Sequence, residues 1–169
     1  MSYKFIDHLH NYSVWTAARA VQRGYTTTKN IKAAIDKTEL PKLAEKINIK
    51  TPSEFDNFHR ETSRILIEQL TNLGIPTSYG RAAKIIAVYL KTSIVIRTSG
   101  ESQLAQIIHP PIDNILLTNL SKKHKELSVS KIKWTQLSED EYFELIKKLR
   151  SIHFDNFWEL EKFWTPIQA

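Results

Sequence analysis

Apolar residues recur along this chain at three- and four-residue intervals, and alternation is confined to KIKW at 131–134, which reads as a brief strand or an extended loop. A period near 3.6 puts such residues on one side of a helix, so the pattern predicts a succession of amphipathic helices. In HLHNYSVWTAARAVQR, residues 8–23, a broad apolar face is formed by Leu9, Tyr12, Val14, Trp15, Ala18 and Val21. The small side chains of Ala17, Ala18 and Ala20 allow a neighbour to approach closely, and Gly24 should end this first helix. Thr28 is the expected N-cap of a short helix, IKAAIDKT, closed before Pro41; LPKLAEKINIK, residues 40–50, is too mixed to assign.

The next helix carries stronger punctuation. Thr51 is its cap, Pro52 its first residue and Glu54 the acid of a capping box; Phe55, Phe58, Ile65, Leu66 and Leu70 form the buried stripe. Gly74 and Pro76 stop it, and GRAAKIIAVYLKT then opens a further helix near Gly80. The run Ser93-Ile94-Val95-Ile96 weakens the helical pattern, because β-branched side chains lose rotamer freedom in a helix. His109-Pro110-Pro111 interrupts the chain, after which IDNILLTNL reads as a short buried helix and KKHKE as a solvated charge run. Ser138 and Glu141 repeat the capping-box pattern ahead of EYFELIKKLRSI, and Asp155 is the expected cap of a last helix, NFWELEKFW, ending at Pro166. Trp158 and Trp164, with Phe157 and Phe163, are expected to seal the core from that helix. There is no internal repeat, low-complexity tract or linker, so the expectation is a compact all-α, multi-helix single domain over residues 1–169, with about seven helices.

Composition agrees with a packed domain: 41% of the 169 residues are hydrophobic and 25% charged, with four Trp and seven Phe. No apolar run approaches the roughly 20 residues of a membrane span and no signal peptide is evident, so no membrane association is expected. With no cysteine, disulfides, thiolate chemistry and Cys-ligated zinc or iron-sulfur sites are excluded, and a cytoplasmic location is expected. The six histidines form no metal-binding pattern, no Gly-rich nucleotide loop is present, and neither metal nor cofactor is expected. A net charge of +6 and a pI near 9.4 favour a polyanionic partner.

Three groups of residues carry candidate chemistry. Asp113 follows two prolines at the start of a helix, where unpaired N–H groups and the helix dipole keep a carboxylate ionised. Gly80, Arg81 and Lys84 place a helix start beside two cations one turn apart, the elements of a phosphate site. Tyr12, Trp15 and Phe58 are aromatic faces on which an extruded base would stack, although helical spacing makes core packing their commoner role.

The order of these elements resembles the helix-hairpin-helix DNA glycosylase superfamily. In that family a Leu-Pro-Gly-x-Gly hairpin leads into a helix opening with Arg or Lys, and a later turn presents a catalytic aspartate at a helix start. Ile75-Pro76-Thr77-Ser78-Tyr79-Gly80-Arg81 stands at the hairpin and Pro111-Ile112-Asp113-Asn114 at the catalytic turn. The resemblance implies a DNA-repair hydrolase: duplex DNA held by Tyr79, Gly80, Arg81 and Lys84, Gln22 filling the gap left by a flipped base, a pocket near Tyr12, Trp15 and His109, and Asp113 assisting cleavage of an N-glycosidic bond. The family's catalytic lysine position falls on Ala82, which implies base excision without strand cleavage; Lys84 lies one turn away. Two other readings fit the same residues: a relative of that fold that binds DNA without catalysis, and an all-α protein-interaction module whose Pro-Pro-Ile-Asp turn is purely structural.

Overall fold

The computed structural model describes residues 2–21, 24–46 and 48–166. Among the described residues eight α-helices run in chain order: α1 Phe5–Val21, α2 Thr28–Ile35, α3 Leu40–Lys46, α4 Pro52–Asn72, α5 Tyr79–Leu90, α6 Gln103–Ile107, α7 Asn114–Lys123 and α8 Glu139–Arg150. There is no strand among the described residues, and none of their helices is long and apolar enough to cross a membrane.

Local chemistry sets most of the helix ends. Thr51 Oγ1 accepts the N–H of Glu54 while the Glu54 carboxylate accepts the N–H of Thr51, and Ser138 and Glu141 repeat that exchange at α8. At the end of α4 the N–H of Ile75 reaches Leu70 O and that of Gly74 reaches Thr71 O, a closure that needs the positive φ of +75° at Gly74. Two caps differ from expectation by small steps. Thr27, not Thr28, caps α2, and Ser78 caps α5, so that helix begins before Gly80.

Helix α5 is the spine of the molecule. Of its 12 residues only Arg81 and Val88 are not buried, as expected for a helix apolar on all sides. One face packs on α1, where Ala17 and Ala18 are wholly inaccessible and let the two backbones approach. That face shares a core with α2, α3, α4 and α6, while Tyr79 and Ala83 join a second core with α7, α8 and the C-terminal segment.

Four stretches either settle what the sequence pattern left open or depart from it. Residues 91–96, whose β-branched run left the tail of the helix either to fray or to extend, extend it: they continue α5 as a π-helix, Lys91–Ile96. KIKW forms no strand; Trp134–Gln136 is a single 3₁₀ turn. The final aromatic segment is a 3₁₀ helix, Phe157–Phe163, preceded by Asn156 with no side-chain cap, so Asp155 does not serve as one. Leu160 and Phe163 are buried from it, while Trp158 lies half-buried against Gly100, whose carbonyl accepts its indole N–H at 3.2 Å. On α1 the buried strip is narrower than expected: Tyr12 and Trp15 point outward, 52% and 49% exposed, and stack on each other with ring centroids 5.7 Å apart.

Candidate functional site

The Pro-Pro turn delivers Asp113 to the N-cap of α7. Backbone at Asp113 is extended, as at an N-cap, and the two prolines before it are buried; each fixes its own φ, and they keep the approach of the chain, His109 and Pro110, out of the helical region. One carboxylate oxygen, Oδ1, accepts the N–H of Leu116 at 2.9 Å. The other, Oδ2, accepts from two side chains at 2.9 Å each: the Lys84 ammonium from the middle of α5 and the Trp164 indole N–H from the C-terminal segment. Three distant parts of the chain therefore converge on one carboxylate.

Electrostatics hold this carboxylate ionised. Burial works against its charge, but the Lys84 ammonium, the N–H of Leu116 and the Trp164 indole outweigh burial and bring its pKa below the ordinary value. For Lys84, only 6% exposed, burial is the larger influence and lowers the pKa, with Asp113 pulling the other way. The result is an ion pair whose lysine gives up its proton more readily than one in water. Next to it Lys91 bonds Glu161 at 2.7 Å and lies over the Trp164 ring, which keeps the indole in place.

The bend before α5 is near this pair but is not an open phosphate site. Gly80 is buried, its N–H donates to Leu137 O at 3.1 Å, and the N–H of Arg81 is taken by Ser78 Oγ at 3.1 Å. The glycine is required by packing: a Cβ there would meet the Trp134 carbonyl oxygen at 1.8 Å. Lys84 turns inward to Asp113, and the space that it lines with Gly80, Ile112, Trp134 and Tyr142 has no room for a water molecule. Arg81 stays at the surface with its guanidinium over the Tyr25 ring, 4.2 Å from the centroid; Tyr25 in turn bonds Thr77. Tyr79, 5% exposed, gives its hydroxyl to a histidine in the core instead of a surface.

His109 likewise lies in the interior and contacts neither Asp113 nor the surface. It is 1% exposed, with Nδ1 at 3.0 Å from the Tyr142 hydroxyl and Nε2 at 2.9 Å from Asp56 Oδ1. Arg150 grips the same carboxylate with two bonds of 2.7 Å, tying α8 to α4. Beside it, the inaccessible His59 stacks on Tyr142, bonds Tyr79 through Nδ1 and leaves Nε2 without a partner. Burial lowers the pKa of both histidines, that of His109 to about 4, so both are neutral near pH 7; with His109 Nε2–H given to Asp56, its Nδ1 accepts the Tyr142 proton. The sequence reading passed over this network, because Asp56, His59, His109, Tyr142 and Arg150 come from separate helices and a turn. Polar residues at 59, 62 and 63 within the apolar stripe of α4 were the available signal.

Of the remaining candidates, Tyr12 and Trp15 are exposed on α1, remote in sequence from the Asp113 turn, and Phe58 is half-buried against the core. Gln22 lies outside the described residues, as does Arg23. Among the described residues, no three His, Asp or Glu side chains gather to hold a metal ion. No family model, no curated protein and no solved structure matches the chain.

Proposed function

We propose that the chain is a duplex-DNA-binding protein of the base-excision type, in which Asp113 assists hydrolysis of an N-glycosidic bond. The observation that carries this reading is the Lys84–Asp113 pair: an ionised carboxylate at a helix head, 2.9 Å from a buried lysine one turn beyond the Gly80-Arg81 bend. An anion held by oriented donors stabilises a cationic sugar as its bond to the base breaks. Because the Trp164 indole already bonds Oδ2, catalysis in this reading needs the C-terminal segment to release that oxygen. The net charge of +6 supplies attraction to phosphates.

A second reading rests on a specific observation: both Asp113 oxygens are already bonded, and no water fits beside Lys84. In that reading the pair is a structural clasp, and the chain binds DNA without cleaving it. The two are separated by incubating wild type and Asp113→Asn with duplexes bearing a panel of base lesions and treating with alkali to cut abasic sites. Strand cleavage by wild type alone supports excision; cleavage by neither, with salt-sensitive binding retained, supports the second reading. Absence of salt-dependent duplex binding removes both.

A further inference from the structure

We infer that the surface pocket between the start of α1, the start of α3 and the π-helical extension of α5 binds a small uncharged ring compound bearing one hydroxyl or carbonyl group. This site is distinct from the Asp113 pair. Lys84 and Lys91 project from α5 and its extension toward Asp113 and Glu161, whereas Tyr89 and Ser93 line the pocket on the side of α1. The inference does not depend on the reading given to Asp113.

The pocket measures about 200 Å³. An apolar cavity of roughly 150 Å³ is enough to take up benzene, so a single substituted ring fits here. Its walls are mainly aliphatic, with Ile6 and Leu9 from α1 and Leu40 and Pro41 from α3. Polar groups come from two sides, Asp7 and His10 on α1 facing Tyr89 and Ser93 on α5 and its extension, and such convergent polar groups in an otherwise aliphatic wall orient a small ligand.

Ser93 is the group that calls for a ligand. It is 5% exposed, lines the pocket, and its buried hydroxyl has no partner in the protein. Hydroxyls nearby do not share that condition: Thr92 donates to Val88 O at 3.1 Å and Thr98 to Ile94 O at 2.8 Å, each four residues back. Ser93 sits within the π-helical turns of Lys91–Ile96, a winding that recurs at functional sites, and does not make the corresponding bond to Tyr89. Leaving a buried hydroxyl unpaired is costly; Ser93 Oγ is itself closed to solvent, and a rotation about χ1 toward the pocket would let a ligand oxygen take its bond.

The other polar groups select against charge. His10 bonds the Tyr89 hydroxyl through Nδ1 at 2.9 Å and Asp36 through Nε2 at 2.9 Å, so both its nitrogens are engaged. Burial and the neighbouring Lys32 ammonium keep it neutral, and Lys32 itself is paired with Asp36 at 2.8 Å. Among the described residues no cation lines the pocket to hold an anion, and the exposed Asp7 carboxylate at the rim repels one.

The test is a titration of the full chain, ¹³C-labelled at Ile and Leu methyl groups, with phenol and separately with benzoate, followed by NMR. Phenol is expected to give saturable shifts at Ile6, Leu9 and Leu40 and cross-relaxation between its ring protons and the Leu40 methyls, whereas benzoate at equal concentration gives neither. Ser93→Ala should weaken phenol by about fivefold, the loss of one ordinary hydrogen bond, and Leu9→Phe, which fills the pocket, should abolish the shifts. The proposal is overturned if wild type shows no saturable shift at these methyls, if benzoate binds as well as phenol, or if Ser93→Ala binds phenol undiminished. The wild-type titration decides the matter even if a variant fails to fold.

Discussion

His59 and His109 lie with ring centroids 4.8 Å apart, and neither is accessible to solvent beyond 1%. Two imidazoles in contact in a dry core must both be neutral, and this makes the fold sensitive to acid. In the unfolded chain each takes up a proton near pH 6.5, whereas folded His109 does so only near pH 4. Between those values the unfolded state binds more protons, so stability is complete above pH 6.5 and is lost as pH falls toward 4. The loss from His109 is on the order of 3 kcal/mol, and His59 adds to it in the same direction. Urea unfolding at pH 7.5 and pH 4.5 measures it; His109→Gln, unable to take the proton, should show a shallower pH dependence, and an unchanged slope would contradict the assignment.

Replacing Gly80 by alanine should destabilise the protein by about 3 kcal/mol, because the added methyl meets a backbone carbonyl that no rotamer change can move aside. Gly74→Ala is the comparison. Nothing lies within 4 Å of a Cβ there, and only its positive φ is strained, at a cost of about 1 kcal/mol. Equal midpoints in urea for the two variants would show that the Trp134 carbonyl does not dictate the glycine.

Asp113→Asn should lower stability at pH 7 by about 3 kcal/mol, since it strands the Lys84 ammonium in the interior. That deficit should shrink as pH rises toward 10. Lys84 already has a lowered pKa, and losing the carboxylate lowers it further, so the unfolded chain binds the extra proton and stability climbs with pH. In Lys84→Met/Asp113→Asn the alkaline recovery should vanish. Parallel pH profiles for wild type and Asp113→Asn would mean that Lys84 is not held by Asp113.

Trp15→Ala should change the unfolding free energy by less than about 1 kcal/mol, because the ring is half exposed and stacks only on an equally exposed Tyr12. Fluorescence anisotropy with labelled single-stranded and duplex DNA then asks whether this outward pair is a stacking platform. Loss of binding in Trp15→Ala, at unchanged thermal midpoint, would locate the contact on α1; equal affinity would place DNA binding elsewhere.

What could be read in advance was chemistry confined to a few consecutive residues. The boxes Thr51–Glu54 and Ser138–Glu141 and the stop at Gly74 each satisfy backbone groups within one turn, so the signal is complete in the local sequence. Asp113 at a helix head was legible for the same reason. Apolar periodicity likewise marked α4 and α8, but it could not say how wide a face each neighbour would cover, and Tyr12 and Trp15, expected in the broad face of α1, point outward.

The sequence alone determined an all-α chain, with helix ends written by short-range hydrogen bonds and a central helix too apolar to lie at a surface. Only the tertiary structure decided which partner each polar group would find: Lys84 with Asp113 across 29 positions, Arg150 with Asp56 across 94, and no partner for Ser93. The reason is physical. Caps and periodicity depend on distances set by the backbone of one helix, whereas burial, pKa and cavity shape depend on which helices meet, and that is settled by the packing of the whole chain.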